Sequence, residues 1–321
     1  MIIPISHPEK VLFPEDGITK ADLAAYYEAI APAMLPHIAG RPVTMERYHR
    51  GIGAPGFFQK DVSKGFPAWL ERVEVPKHGG TVHHPVVTDV RSLVWLANQN
   101  SITPHVWTRR VSDLRHPDIC VFDLDPAVDD QPEVLRAAAI ALRDLLVELG
   151  LASWVKTTGS KGFHIVVPLD GSADLPTAAH FADAVGTLLV RRDPAHLTQE
   201  FHKVDRDGRI LVDTGRNSYS ATFAAAYAVR AKPGAPISAP CTWTEVERGD
   251  VHPRSFTLRS MHSRIAKVGD LWAELSARGQ PLDPAIERLR ELQKRVAAPS
   301  SARARKGSKP RGGRSGKARE M

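Results

Sequence analysis

Apolar and polar positions along this 321-residue chain repeat with two different spacings. Apolar residues three or four positions apart predict amphipathic helices, at residues 19–38, 91–100, 133–149, 177–190 and 283–296. Short apolar runs bounded by turn residues predict strands, at residues 41–48, 119–125, 152–156, 163–168 and 210–213. Helices and strands interleave irregularly and no segment repeats, so the pattern favours an α+β fold with a mixed sheet.

The first predicted helix has a recognisable beginning and end. Thr19 is an N-cap residue, and Asp22 stands at the capping-box position, where Glu or Gln is more usual. Gly40 ends the helix. Pro32 and Pro36 are expected to kink or shorten it, because proline removes a backbone donor and crowds the preceding turn.

The strand over residues 119–125 ends in two carboxylates, Asp123 and Asp125. Alternate strand residues point the same way, so these side chains share a face, roughly 7 Å apart along the strand. Two like charges this close repel unless a cation lies between them, and oxygen ligands suit Mg²⁺ or Mn²⁺. The alternative is an Asp-Pro turn whose carboxylates cap backbone N–H groups, and these residues alone leave both interpretations open.

A third carboxylate, Asp213, ends the apolar run at residues 210–212. Three carboxylates can hold two metal ions, the arrangement that catalyses in-line phosphoryl transfer. The competing interpretation is that Asp213 only caps the turn that follows it.

Between these acids lies the segment 156–164, Lys-Thr-Thr-Gly-Ser-Lys-Gly-Phe-His. Its glycines allow backbone N–H groups to face an anion. Thr158, Lys161 and His164 add donors for phosphate oxygens. The alternative is a glycine-rich hairpin turn with an exposed lysine. The P-loop spacing is absent.

Composition says more about the cellular compartment of the protein than about any reaction that it catalyses. The hydrophobic content of 42% supports a core, and the chain has no apolar run of about 18 residues and no secretory leader, so we expect a protein without a membrane segment. Two cysteines, Cys120 and Cys241, exclude a disulfide framework or a cysteine-rich zinc site. These features predict a cytoplasmic protein.

The net charge of +7 lies entirely in residues 299–321, which hold eight Lys or Arg residues and one Glu. Because this segment has almost no apolar residues, the sequence predicts a disordered basic tail. Such a tail is typical of a non-specific nucleic-acid arm, and a purely solubilising tail is the alternative.

The ordered combination of motifs resembles the polymerase domain of bacterial ligase D, in the archaeo-eukaryotic primase superfamily. It consists of Asp-Leu-Asp-Pro at 123–126, the segment 156–164 and Val-Asp at 212–213. Further matching segments are residues 10–14, 17–23, 41–44, 57–60, 95–97 and 226–230. The resemblance covers about residues 3–295. It implies an α+β primase-like core, with mixed or antiparallel sheets flanked by helices, in one domain over residues 1–298.

The resemblance also implies roles for residues at matching positions. Asp123, Asp125 and Asp213 are expected to bind two divalent ions, Mn²⁺ or Mg²⁺. The implied nucleotide-binding residues are His105, Thr158, Lys161, His164, Arg206 and Arg230. Lys10 and Lys20 are implied to bind a DNA 5′-phosphate, and Phe57 and Phe58, on a predicted loop, to stack on template bases. Two positions depart from the family: Glu46 stands where a basic residue is common, and Arg216 replaces a frequent Gln.

These expectations together predict a DNA-repair primase-polymerase without ligase activity, in the cytoplasm and associated with the nucleoid. It would add NTP or dNTP to DNA 3′ ends at short gaps and double-strand breaks, in non-homologous end joining. Because no nuclease or ligase module is recognisable in the chain, we expect a separate ATP-dependent DNA ligase and a Ku-like protein as partners. The alternatives are gap filling in excision repair, a two-metal nuclease or phosphatase, and a non-catalytic protein that bridges DNA ends.

Overall fold

The structure is a computed structural model that describes residues 3–62, 64–128 and 131–297. The predicted basic tail lies outside these residues. The helices are α1 (Lys20–Ile38), α2 (Val90–Asn98), α3 (Pro132–Glu148), α4 (Leu175–Arg192), α5 (Trp243–Arg248), α6 (Met261–Val268) and α7 (Asp283–Ala297). The strands are β1 (Val11–Phe13), β2 (Ile18–Thr19), β3 (Val43–Arg47), β4 (Phe57–Gln59), β5 (Arg72–Lys77), β6 (Gly80–Pro85), β7 (Ser101–Val106), β8 (Ile119–Pro126), β9 (Trp154–Thr157), β10 (Phe163–Pro168), β11 (Leu197–Thr198), β12 (Ile210–Asp213), β13 (Phe223–Ala224) and β14 (Pro240–Cys241).

Two larger sheets organise the described residues. A six-stranded sheet has the order β11-β12-β8-β10-β9-β14, and a four-stranded sheet has the order β13-β7-β3-β4. The pairing of β11 with β12 is parallel and the other pairings are antiparallel. Two small hairpins, β1-β2 and β5-β6, complete the strands. The predicted α+β class with mixed and antiparallel sheets is therefore confirmed.

Strand β8 connects two hydrophobic clusters. Its residues Cys120, Phe122 and Leu124 belong to the cluster that includes α3, α4 and α7. Ile119 and Val121 point to the opposite face and join the cluster of α1, α2 and the four-stranded sheet. Since strand residues alternate between faces, Asp123 and Asp125 continue the face of Ile119 and Val121. The two carboxylates are thereby directed toward the cleft between the two sheets.

Helix α1 begins as the sequence predicts and is longer than the prolines suggest. Thr19 and Asp22 form a reciprocal capping box, and the helix continues through Pro32 and Pro36 to Ile38. Its inner face is anchored by buried tyrosines: the hydroxyl of Tyr26 donates to the carbonyl of Tyr227, and that of Tyr27 to the carbonyl of Ile102. Tertiary packing of this kind compensates for the donors that proline removes.

Two regions differ from the sequence prediction. Phe57 and Phe58 lie on an edge strand, β4, and not on a loop; this expectation was wrong because Phe-Phe-Gln pairs with β3 from Met45 to Arg47. The hairpin β5-β6 and strand β7 were not predicted. Among the described residues, no helix combines the length and the apolar character that crossing a membrane requires.

Candidate active site

The strand register brings the predicted acids to one face of the six-stranded sheet. Asp123 lies directly opposite Asp213 on β12 and directly opposite His164 on β10. Residues that face each other across antiparallel strands have Cβ atoms about 4.5–5.5 Å apart. Three residues distant in sequence therefore meet at a single position of β8.

Arg216 joins two of the carboxylates. Its Nη2 atom lies 3.1 Å from Oδ2 of Asp123 and 3.1 Å from Oδ2 of Asp213. Its Nε atom also donates to Oδ2 of Asp123 at 3.2 Å. Burial tends to raise the pKa of Asp123, but its interactions with His164, and then with Arg216 and Lys156, outweigh burial and lower that pKa. For Asp213, burial and the neighbouring Asp123 raise the pKa, and Arg216 opposes them.

Asp125 has a different partner. Its Oδ2 atom accepts from Nη1 of Arg206 at 3.0 Å. Arg206 is buried and also donates to the carbonyls of Phe201 at 2.8 Å and Glu200 at 3.1 Å, so it is held firmly. Within the described residues, no three His, Cys, Asp or Glu side chains have an arrangement that could hold a metal ion. The acids share a face, and their oxygen atoms pair with arginines: Asp123 and Asp213 with Arg216, and Asp125 with Arg206.

The glycines of the segment 156–164 are required by close backbone contacts. A Cβ atom on Gly162 would lie 1.6 Å from the carbonyl oxygen of Leu124, between the two acids of β8. Gly159 has a φ of +63°, and a Cβ atom there would meet Arg230 at 2.6 Å. These contacts tie the loop to the strand that carries the acids.

Thr158 organises this loop from within. Its Oγ1 atom accepts from the backbone N–H groups of Ser160 and Gly162, each at 3.1 Å. The carbonyl of Thr158 accepts from Nη1 of Arg230 at 2.6 Å. The expectation that these loop N–H groups face an anion is therefore wrong for Ser160 and Gly162. A hydroxyl that accepts two bonds still has its own proton to donate.

A series of buried polar side chains leads from the protein interior to Asp123. Nζ of Lys156 lies 2.7 Å from Nδ1 of His164 and bonds to Oγ of Ser238, and Nε2 of His164 lies 3.4 Å from Oδ2 of Asp123. Burial, and then the charge of Lys156, lowers the pKa of His164 to about 4. Burial, and then Arg230, lowers the pKa of Lys156 well below its usual value. Because an ionised carboxylate only accepts, His164 presents its Nε2 proton to Asp123.

His105 reaches the cleft from the four-stranded sheet. Its Nε2 atom lies 3.1 Å from Oε2 of Glu46, whose other oxygen accepts from the hydroxyl of Tyr48 at 2.8 Å. Burial alone would raise the pKa of Glu46, but these hydrogen bonds lower it to about 2. Glu46, which stands where the family often has a basic residue, is thus an ionised carboxylate. It already pairs with His105, a predicted nucleotide-binding residue.

The cleft between the sheets has a volume of about 180 Å³. Most of the predicted catalytic and nucleotide-binding residues line it, namely Asp123, Asp125, His105, Thr158, Lys161, His164 and Arg230, together with Arg216. Two further predicted residues are connected to the cleft by ion pairs. Arg206 pairs with Asp125, and Asp213 pairs with Arg216.

The predicted DNA-binding residues lie on neighbouring elements. The backbone N–H of Lys20 donates to the carbonyl of Lys10 at 2.8 Å, which brings the two lysines together. Nζ of Lys20 donates to the carbonyl and the hydroxyl of Ser6. Burial, and then the charge of Lys10, lowers the pKa of Lys20 to about 8. Phe57 and Phe58 are 41% and 61% exposed, and the ring centroid of Phe58 is 5.3 Å from that of His105.

Comparison with known proteins decides the family. A family model described as "LigD, primase-polymerase domain" matches residues 19–272. The chain belongs to the LigD primase-polymerase family. The resemblance seen in the sequence motifs is thereby confirmed, and so is the fold expected from it.

Curated LigD proteins and a solved LigD domain are similar to most of the chain. The "Multifunctional non-homologous end joining DNA repair protein LigD" of Mycobacterium tuberculosis (strain H37Rv) is 35% identical over 300 residues, 91% of this chain and 39% of that protein. The LigD protein of Pseudomonas aeruginosa is 32% identical over 292 residues, 89% of this chain and 34% of that protein. The chain thus corresponds to about two fifths or less of the length of these relatives.

A solved structure is similar as well. The "Polymerase Domain from Mycobacterium tuberculosis Ligase D in complex with DNA" superimposes with a TM-score of 0.81 at 35% identity, covering 87% of this chain and 99% of that one. The match spans nearly all of the solved LigD domain.

Sequence reasoning missed parts of this LigD-family site. Lys156 was assigned no role, although the pairing of β9 with β10 places it directly opposite His164. Arg216 was noted only as a departure, although it follows Asp213 by three residues in a short turn. Ser238 carries no sequence signal, because it approaches Lys156 through the fold alone.

Proposed function

We propose that this LigD-family chain is a template-directed nucleotidyltransferase that adds NTP or dNTP to DNA 3′ ends at short gaps and double-strand breaks. The observation that carries the proposal is the meeting of Asp123 and Asp213 across β8 and β12, beside a cleft that Asp123, Lys161 and Arg230 line together. Acids for metal ions then lie near cations for a triphosphate, the division of roles that phosphoryl transfer needs.

Two divalent ions, Mn²⁺ or Mg²⁺, are proposed as cofactors, with Asp123, Asp125 and Asp213 as their ligands. The donor set fits, because carboxylate oxygens are the ligands that these ions prefer. When bound, the ions would supply a lowered pKa for an attacking hydroxyl and positive charge for the triphosphate. The Oδ2 atoms of Asp123 and Asp213 converge on Nη2 of Arg216, which occupies the position between them. To bind the same ion, Asp125 would have to break its ion pair with Arg206.

The incoming nucleotide is proposed to bind along Thr158, Lys161 and Arg230, with His105 also lining the cleft and Arg206 acting through its ion pair with Asp125. Lys161 and Arg230 supply charge for phosphate oxygens. His164 is proposed to position Asp123, since its Nε2 proton is directed at that carboxylate and its pKa keeps it neutral near pH 7.

DNA is proposed as the macromolecular substrate. Exposed aromatic rings on an edge strand suit base stacking, and Phe58 lies beside His105 at the cleft. The paired Lys10 and Lys20 suit a 5′-phosphate across the gap. By analogy with its relatives, we propose that the chain serves non-homologous end joining with a separate ligase and a Ku-like protein.

A primer-extension assay on gapped DNA tests this function. The substrate carries a 5′-phosphate across the gap, and NTP and dNTP are supplied in parallel with Mn²⁺ or Mg²⁺. Template-dependent extension is the expected result. Primer shortening would identify a nuclease instead, and a shifted DNA band without any chemistry would identify an end-bridging protein.

A further inference from the structure

Arg216 lies where two of the proposed metal ligands converge. One nitrogen, Nη2, is 3.1 Å from Oδ2 of Asp123 and equally far from Oδ2 of Asp213. The other oxygen of Asp213, Oδ1, accepts from the backbone N–H of Gly215 at 2.8 Å and is already committed. The guanidinium therefore engages the oxygen atoms that a shared cation would use.

The backbone beneath Arg216 is fixed to the strand that carries Asp123. Arg216 belongs to the 3₁₀ turn Gly215–Asn217. The side chain of the buried Asn217 accepts from the N–H of Val121 at 2.8 Å and donates to the carbonyl of Val121 at 2.7 Å. Because this clamp holds the turn, the position of the guanidinium depends on the side-chain rotamer of Arg216.

The outer side of Arg216 is open to the cleft. Its side chain is 38% exposed, whereas that of Arg206, the partner of Asp125, is 4% exposed. Beyond the two acids, Arg216 has a weak hydrogen bond to the carbonyl of Thr222 at 3.5 Å, longer than the usual range of about 2.7–3.2 Å. Rotation into the cleft therefore breaks the two ion pairs and little else.

Two cations cannot share this position. Mg²⁺ binds oxygen ligands at about 2.0–2.1 Å, and a guanidinium that contacts the same carboxylate oxygens would repel the ion at close range. Movement of Arg216 away from the two acids would free these oxygens for the ion.

We infer that Arg216 is a built-in cation that holds Asp123 and Asp213 together until a divalent metal ion displaces it. Metal binding is then coupled to rotation of one side chain, and the displaced guanidinium is delivered into the cleft beside Lys161 and Arg230. The inference deepens the proposed function and rests on it, because it assumes that these acids bind the metal ion.

Direct measurement of Mn²⁺ binding to the full chain tests this coupling without relying on activity. Free Mn²⁺ is followed by electron paramagnetic resonance for the wild type and for Arg216→Gln, Arg216→Lys and Arg278→Gln. Arg278 is a matched control, since it is an exposed arginine paired with Glu274 at 2.9 Å, outside the cleft. Arg216→Gln should bind Mn²⁺ tighter by a factor of roughly 5–150, the usual range of coupling between two binding events.

The variants differ in what they should do. Arg216→Lys keeps a charge but not the planar fork, so its affinity should lie between those of the wild type and Arg216→Gln. Arg278→Gln should match the wild type. The gain in thermal stability on adding Mn²⁺ should be larger for Arg216→Gln, because tighter binding to the folded state raises its stability. Adding Asp213→Asn to Arg216→Gln should abolish the gain in affinity.

The experiment distinguishes failure of the inference about Arg216 from failure of the proposed polymerase function. Equal or weaker Mn²⁺ binding by Arg216→Gln, with primer extension by the wild type intact, would overturn the displacement of Arg216 and leave the polymerase assignment standing. Absence of Mn²⁺ binding in every variant, together with absence of extension by the wild type, would overturn both.

Discussion

At the scale of single residues, the site is a set of charges held in place by burial. Asp123 is ionised because His164, Arg216 and Lys156 outweigh its desolvation, and Glu46 is ionised because His105 and Tyr48 donate to it. Strand alternation predicted that Asp123 and Asp125 share a face, and the family resemblance grouped Asp213 with them, because no local signal shows that β12 pairs with β8. The sequence did not predict the partners of those acids, because Arg206 and Arg216 reach them from separate turns.

Lys20 gives the site a pH dependence that follows from its pKa of about 8. Below that pH the ammonium is charged and attracts a 5′-phosphate, and by pH 9 only about a tenth of it remains charged. The ratio of DNA affinities for 5′-phosphorylated and 5′-hydroxyl gaps should therefore fall several-fold between pH 7 and pH 9. Fluorescence anisotropy with both gapped DNAs measures this ratio.

The phosphate itself does not explain such a fall, because its second ionisation, near pH 6, is complete over this range. Lys20→Ala should show no preference at either pH. A preference that stays constant from pH 7 to pH 9 in the wild type would mean that the 5′-phosphate binds elsewhere.

At the scale of elements, the best-predicted parts were those with a local start or stop signal. The capping box of α1 and the paired strands β9 and β10 were visible in the sequence. Hairpin β5-β6 was missed because its strands are mostly polar and its turn residues, His78 and Gly79, are not one of the usual hairpin pairs such as Asn-Gly. Strand β4 was assigned to a loop because three residues are too short for periodicity to show.

Gly162 couples the loop to the acids of β8, and its replacement tests that coupling. Gly162→Ala would press a Cβ atom against the carbonyl of Leu124, between Asp123 and Asp125. Overpacking of this kind lowers the free energy of unfolding by about 1–3 kcal/mol, and the shifted strand should also lower primer extension. Chemical denaturation and extension rates measure the two effects.

Gly65→Ala is the matched control, because nothing lies within 4 Å of a Cβ atom placed there and its φ is not positive. It should leave stability and extension unchanged. Wild-type behaviour of Gly162→Ala would show that the loop is not constrained by β8.

At the scale of the whole molecule, two sheets meet along β8, and the cleft lies where their inner faces approach. Alternation along β8 sends Ile119 and Val121 to one cluster and Cys120 and Phe122 to the other. The family and the α+β class could be predicted because the motifs occur in a fixed order. The approach of His105 to Asp123 through the cleft could not, since no local pattern specifies how two sheets pack.

The charge of the chain also acts at this scale. Residues 299–321 hold the whole net charge of +7, so deleting them should weaken DNA binding and reduce the slope of log affinity against log salt. A variant with the eight basic residues of this segment replaced by Gln keeps the length and should behave like the deletion. An unchanged salt slope would make the segment irrelevant to DNA.

The central claim is that the acids of β8 and β12 transfer nucleotides, and single-nucleotide incorporation into gapped DNA tests it most directly. The wild type should extend the primer with template-matched nucleotide and Mn²⁺. Asp123→Asn should lower the rate by at least about 10²-fold, the cost of losing charge stabilisation in a transition state, with DNA affinity nearly unchanged. Extension by Asp123→Asn at the wild-type rate would contradict the account.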